Sequence, residues 1–251
     1  MVRGLGNVFP GALLLCSLAL LCAAQRIEYH LEQAQPASRF SARQLALLSK
    51  LNHADAGNLT RLRRIIVPDL WVGDELRYSP MPRTIEGLAS VTKALLVDLR
   101  TQTFGAYENG TLVRWGPVSS GDRRHQTPAG VYHLHWHAPV RTSSENASWV
   151  MHWYFNFSSE SGFALHQYTL PGRPASHGCV RLLETDAKWL YRWGEGWTRD
   201  AETGELVHDG TLVLLIGKYD FKAPQPWLKP AWWSEGIAIH LPTFEHVAAD
   251  Q

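Results

Sequence analysis

The feature that most constrains this chain is a succession of short β-prone runs, each closed by a turn signal, between Lys93 and Gly217. Residues 94–99 are an apolar strand candidate. Residues 103–107 and 112–115 flank Asn109-Gly110, a pair that tolerates positive φ and so signals a tight hairpin. Residues 131–136 and 149–157 alternate apolar and polar side chains, and 163–166 is a further short strand. Asp209-Gly210 turns the chain into a last strong strand at 211–216. One helix is expected in this stretch, at 184–191, with Ala187, Leu190 and Tyr191 on one side. Many short strands with few helices predict a mainly-β domain of β-sandwich type.

The flanks differ. Ser41 is placed to cap a helix over 42–51, with Leu45, Leu47, Leu48 and Leu51 at helical spacing. A second short helix is expected near 58–64, then a brief strand at 65–68 closed by Pro68. Ser79-Pro80-Met81-Pro82 reads as a linker, so a small helical region is expected before the β domain. The stretch from Ala223 holds Pro224, Pro226, Trp227, Pro230, Trp232 and Trp233. Its tryptophans either cover the domain or line a groove.

The first residues carry an expectation of their own. Arg3 precedes an almost wholly apolar run over 12–24, ending Cys22-Ala23-Ala24-Gln25, which is the form of a secretory signal peptide cleaved after Ala24. The run is short for a membrane span, so membrane contact is expected only through this segment. Of three cysteines, Cys16 and Cys22 fall inside it. The mature chain then carries Cys179 alone, either as an inert core thiol or as a used one. Twenty-four Lys and Arg against 23 Asp and Glu give a net charge of +1. With no basic cluster longer than residues 61–64, a nucleic-acid partner is not expected.

Cys179 sits in Ala175-Ser176-His177-Gly178-Cys179-Val180-Arg181. A thiol needs a nearby base or positive charge to act as a nucleophile at neutral pH. In an extended segment His177 and Arg181 lie on its side of the chain. Gly178 permits a turn and close approach of substrate to the backbone, whose N–H groups can then serve an oxyanion. Upstream stand Phe163-Ala164-Leu165-His166 and Thr127-Pro128-Ala129-Gly130-Val131-Tyr132.

Together these segments resemble the L,D-transpeptidase catalytic domain, also called YkuD, over roughly residues 93–217. Gln167 departs from the Gly or Ala common after the upstream histidine. The resemblance implies a β-sandwich of that type. It implies Cys179 as nucleophile, His166 as general base and His177 as a third catalytic group, with Gly178 and Cys179 N–H groups forming the oxyanion hole. Arg181 and Ser176 are implied as substrate-side or loop-fixing residues, and no cofactor or metal is implied. The implied reaction is acyl transfer from a peptidoglycan stem tetrapeptide, through a thioester, to an amine. Its products are 3→3 cross-links or an anchored protein, with carbapenem β-lactams as covalent inhibitors. A hydrolase on the same fold, an L,D-carboxypeptidase, and a non-catalytic peptidoglycan-binding wall protein are the alternatives. The expected location is the periplasm or cell wall.

Two further patterns bear on function. His133, His135 and His137 would share one face of a strand, yet no matched carboxylate or cysteine accompanies them, so they are expected with Trp136 and Trp149 on a solvent or groove face. Residues 44–52 followed by 65–68 resemble the second half of a LysM module, which binds peptidoglycan glycan; its first strand is not visible. The expected organisation is a signal segment over 1–24 and an N-terminal region over 25–90 that is either a degenerate LysM-like element or a plain helical extension. A catalytic domain over 91–219 and a Pro/Trp-rich tail over 220–251 follow.

Overall fold

The computed structural model describes residues 26–244, so the signal segment lies outside the described residues. A first strand, β1 (Tyr29–Gln33), precedes a helix, α1 (Ala42–Leu51), that begins where Ser41 implied. The Ser41 hydroxyl accepts the Gln44 N–H while the Gln44 side chain accepts the Ser41 N–H. This reciprocal capping satisfies two amides that a helix start leaves unpaired. The second helix, α2 (Ala56–Leu59), lies earlier than the predicted 58–64. Asp55 caps it by accepting the Asn58 N–H at 3.0 Å, and the chain is already extended at Arg64, where β2 (Arg64–Pro68) starts. Strands β1 and β2 pair antiparallel, so the region expected to be helical is a strand–helix–helix–strand unit.

Nine further strands build one large sheet. They are β3 (Lys93–Asp98), β4 (Thr103–Glu108), β5 (Thr111–Ser119), β6 (Gly130–His133), β7 (His137–Thr142), β8 (Val150–Ser158), β9 (Phe163–Gln167) and β10 (Val180–Leu182). After helix α3 (Glu184–Trp193) and a small hairpin of β11 (Thr198–Arg199) and β12 (Leu206–His208), β13 (Leu212–Ile216) completes it. Asn109 and Gly110 both take positive φ, 47° and 73°, as the hairpin signal required. The strand order is β6-β13-β3-β4-β5-β10-β9-β8-β7. The sheet curls until the chain just beyond β6 reaches β8, where the His135 N–H donates to the Asn156 carbonyl at 2.8 Å. The mainly-β expectation holds.

The sheet is covered on both faces, which is why β3 and β13 read as unbroken apolar runs. Along β3, Leu95 and Val97 point into one cluster with Phe104, Phe155 and Leu165, inside the curl. Ala94 and Leu96 point into a second cluster outside it. Strand β13 divides in the same way. The outer cluster is closed by Tyr29, Leu47, Leu51 and Ile66 of the N-terminal unit and by Trp227 and Trp233 of the tail. The two tail tryptophans are 1% and 6% exposed, so they cover the domain. The tail also forms a short helix, α4 (Pro230–Glu235), with proline in its first turn, where its missing N–H costs nothing.

Candidate active site

The site grows from β10, a three-residue strand wedged between β5, antiparallel, and β9, parallel. The register sets Val180 beside Leu165 and Arg181 beside His166. In-register parallel neighbours carry their side chains on the same face, and one step back Cys179 lies abreast of Ala164. Cys179, Arg181 and His166 therefore face the same way. All three line a cavity of about 140 Å3, walled also by Tyr154, Phe163, Trp149 and His177. The thiol rests on an apolar floor of Met151, Tyr154 and Ala164.

The loop before Cys179 is held from three sides. Ser176, 2% exposed, donates its hydroxyl to the Cys179 carbonyl and accepts the Gly178 N–H at 3.1 Å. Ser120 accepts the N–H groups of Ala175 and Ser176, each at 3.0 Å, through its carbonyl. The Thr127 hydroxyl donates to the Gly178 carbonyl at 2.7 Å and accepts the Gly121 N–H at 2.9 Å. That bridge gives the Thr-Pro-x-Gly segment its physical meaning: it ties the 121–127 loop to the loop bearing the thiol. Gly178 has φ +112°, and a Cβ there would lie 2.3 Å from the Phe163 ring, so only glycine fits.

His166 is 4% exposed, and its Nδ1 lies 2.9 Å from the Gln167 carbonyl. A carbonyl only accepts, so Nδ1 carries the proton and Nε2 keeps its lone pair. Burial pushes the ring's pKa down to about 4. The hydrogen bond to Gln167 opposes this and the Arg181 charge adds to it. Burial likewise raises the Cys179 pKa. An Ala164 N–H bond and the Arg181 and Arg141 charges pull it down, while Glu145 pushes it up. The balance departs from the expectation that flanking charges ionise the thiol. At rest the thiol and the imidazole that line this cavity are both neutral.

His177 is exposed, stacked 4.3 Å from His125 and tilted against Trp149 at 4.6 Å. Arg181 lies over Tyr168 at 4.6 Å. Sequence reasoning missed Arg141 and Glu145, which also line the cavity. Arg141 lies in β7, whose Pro139 obscures the alternation; Glu145 is in a polar loop with no pattern at all. The Gln167 carbonyl has no side-chain signal to find.

The three histidines do not share a face. Strand β6 ends at His133 and β7 begins at His137. His135 stacks on Trp197 at 4.0 Å and bonds Ser159, while His137 packs edge-on against Tyr191. Among the described residues no group of three or more His, Cys, Asp or Glu is arranged to hold a metal. No helix among them is long and apolar enough to cross a membrane.

The fold and this geometry define a mainly-β protein with a thiol–imidazole pair in a walled pocket. Residues 92–215 match the L,D-transpeptidase catalytic domain, YkuD, and the chain belongs to that family. No curated protein matches the chain. Among solved structures, the L,D-transpeptidase of Stackebrandtia nassauensis is 26% identical, covering 51% of this chain and 57% of its own, with a TM-score of 0.41. That from Xylanimonas cellulosilytica, residues 123–326, is 25% identical over 70% of this chain and 81% of its own, with a TM-score of 0.45. L,D-transpeptidase 3 of Mycobacterium tuberculosis, solved with a faropenem-derived adduct, is 19% identical over 50% and 60%, with a TM-score of 0.39. The chain thus spans less than two thirds of the length of the first of these relatives.

Proposed function

We propose that this protein is an exported peptidoglycan L,D-transpeptidase with Cys179 as its nucleophile and His166 as its base. The observation that carries this reading is the placement of a thiol and a neutral, Nδ1-anchored imidazole on one face of adjacent parallel strands in one cavity. As Cys179 Sγ attacks the carbonyl carbon of a donor stem peptide, its proton passes to His166 Nε2. The tetrahedral oxyanion is held by backbone N–H groups at Cys179 and Gly178; the Gly178 N–H must first turn from Ser176 Oγ. The C–N bond then breaks, the proton goes to the leaving D-amino acid's amine, and a thioester remains. An acceptor amine attacks the thioester, its proton passes through His166 Nε2, and the thiol is restored. Arg181 and Arg141 supply positive charge at the cavity wall for a substrate carboxylate, and His177 with Trp149 gives it an aromatic side.

The N-terminal unit has the strand–helix–helix–strand order of a LysM-like element, which supports glycan contact as its role. Incubating the mature protein with tetrapeptide muropeptides should yield 3→3 dimers detectable by mass spectrometry, and Cys179→Ala should yield none. Tripeptides alone would reassign the protein as a hydrolase. Turnover by the Cys179→Ala variant would remove Cys179 as nucleophile.

A further inference from the structure

A second cavity, of about 330 Å3, lies behind the loop that carries the thiol. The two cavities share that loop: Ser176 and His177 line the first, and Arg173 and Pro174 line the second. Its walls hold three guanidinium groups, from Arg123, Arg124 and Arg173, against one carboxylate, Asp122. That carboxylate is already engaged. It accepts the N–H groups of Arg124 at 2.8 Å and His125 at 2.9 Å and lies 3.0 Å from the His125 ring nitrogen. Arg123 is pre-set, donating to the Phe221 carbonyl at 3.1 Å while its guanidinium lies 5.6 Å from the Phe221 ring. Among the described residues no carboxylate pairs with Arg124 or Arg173.

The opposite wall is the start of the tail, including Tyr219, Phe221 and Gln225. Buried Trp227 anchors it, 6.3 Å from the Tyr219 ring. The Arg173 side of the cavity is fixed too, because the Ser119 hydroxyl donates to the Arg173 carbonyl at 2.8 Å. The result is a walled, net-positive recess with an aromatic side and an amide, joined to the thiol loop through the Asp122 N–H, which donates to the Ser176 carbonyl at 2.8 Å. Guanidinium groups match carboxylates two bonds at a time.

We propose that this recess is a carboxylate-binding site for the acceptor peptide, anchoring that strand while its amine reaches over His177 to the thioester. The assignment rests on the acyl-transfer reading. The site would also give the tail a role: it shapes the recess as well as covering the core.

The test is equilibrium binding to full-length Cys179→Ala protein of two probes, a stem tetrapeptide with free carboxylates and the same peptide fully amidated. An Arg124→Gln/Arg173→Gln variant in the same background is the comparison; both side chains are exposed, so the fold should persist. Because exposed ion pairs are individually weak, the acidic peptide should bind about five- to tenfold more weakly to the double variant, with the amidated peptide unaffected. Equal loss for both peptides, or no loss, overturns the proposal. Displacement of the acidic peptide by inorganic phosphate alone would make the recess a general anion trap and also overturn it. In the wild-type Cys179 background, the double variant should keep its rate of acylation by a carbapenem. If wild-type protein forms no thioester while the binding selectivity is found, the acyl-transfer reading fails and the carboxylate site stands without its acceptor role.

Discussion

At the scale of single residues, the proposed mechanism concentrates on His166. Its ring is neutral through most of the accessible pH range, because burial holds the pKa near 4. A base must be unprotonated to act, so acylation of Cys179 by a carbapenem should keep its rate as pH falls from 7 to about 5. The acid limb should lie well below the ordinary imidazole value of about 6.5. A limb centred at that ordinary value would mean that His166 is more solvated than its 4% exposure implies. His166→Gln keeps a hydrogen-bonding side chain but removes the base, and should slow acylation about 10² to 10⁴-fold. Stopped-flow acylation across pH checks both outcomes, and a His166→Gln rate within a factor of a few of wild type would assign the proton to another group.

At the scale of elements, the turn between α1 and α2 grips the connection from β9 to the thiol. The Asp55 N–H donates to the Leu170 carbonyl at 3.0 Å, and the Leu170 N–H donates to Asp55 Oδ2 at 2.8 Å. Asn58 adds a bond to the same carbonyl at 3.1 Å, and the Gly172 N–H reaches the His53 carbonyl at 3.0 Å. Asp55→Ala leaves the amide of buried Leu170 unpaired and removes the α2 cap, so it should cost about 2 kcal/mol in urea unfolding. If the grip also sets the β9-to-thiol path, kcat should fall while KM for the donor stays within about twofold; a change in KM alone would deny it a positioning part.

None of this grip was legible in the sequence, since it joins residues more than a hundred positions apart. What was legible followed from local chemistry: the Ser41 cap, the Asn109-Gly110 turn, the apolar runs of β3 and β13, and the Ser-His-Gly-Cys loop. What was not legible depended on distant partners. Strand β1 is five residues with polar His30 and Glu32, and only its pairing with β2 makes it a strand. Strand β10 is too short to show a period, yet its register with β9 brings Cys179 and His166 together.

At the scale of the whole molecule, the N-terminal unit, the sheet and the tail form one packed body that meets at His53. Its ring stacks on Trp227 at 4.1 Å and meets the edge of Trp233 at 6.4 Å. It is 1% exposed, and neither ring nitrogen has a side-chain or well-formed backbone partner. Burial pushes its pKa down to about 3, against a weak upward pull from the Gln102 backbone. In the unfolded chain the same ring titrates near 6.5. Above that value both states are neutral and the group has no effect on stability. As pH falls below it, the unfolded chain takes up a proton that the folded ring refuses, so stability is lost progressively until the folded pKa is reached. The loss from this one group between pH 6.5 and pH 4 should be on the order of 3 kcal/mol. His166 contributes with the same sign over its own window, so the protein should be acid-labile below pH 6. His53→Phe keeps a flat ring against Trp227 and removes the titration. Urea unfolding at pH 7 and pH 4 should show a drop for wild-type protein that exceeds the variant's by roughly that amount. Equal drops in the two proteins would place the acid sensitivity elsewhere, and a large loss for the variant already at pH 7 would mean that the His53 ring supports the junction through contacts beyond its stacking on Trp227.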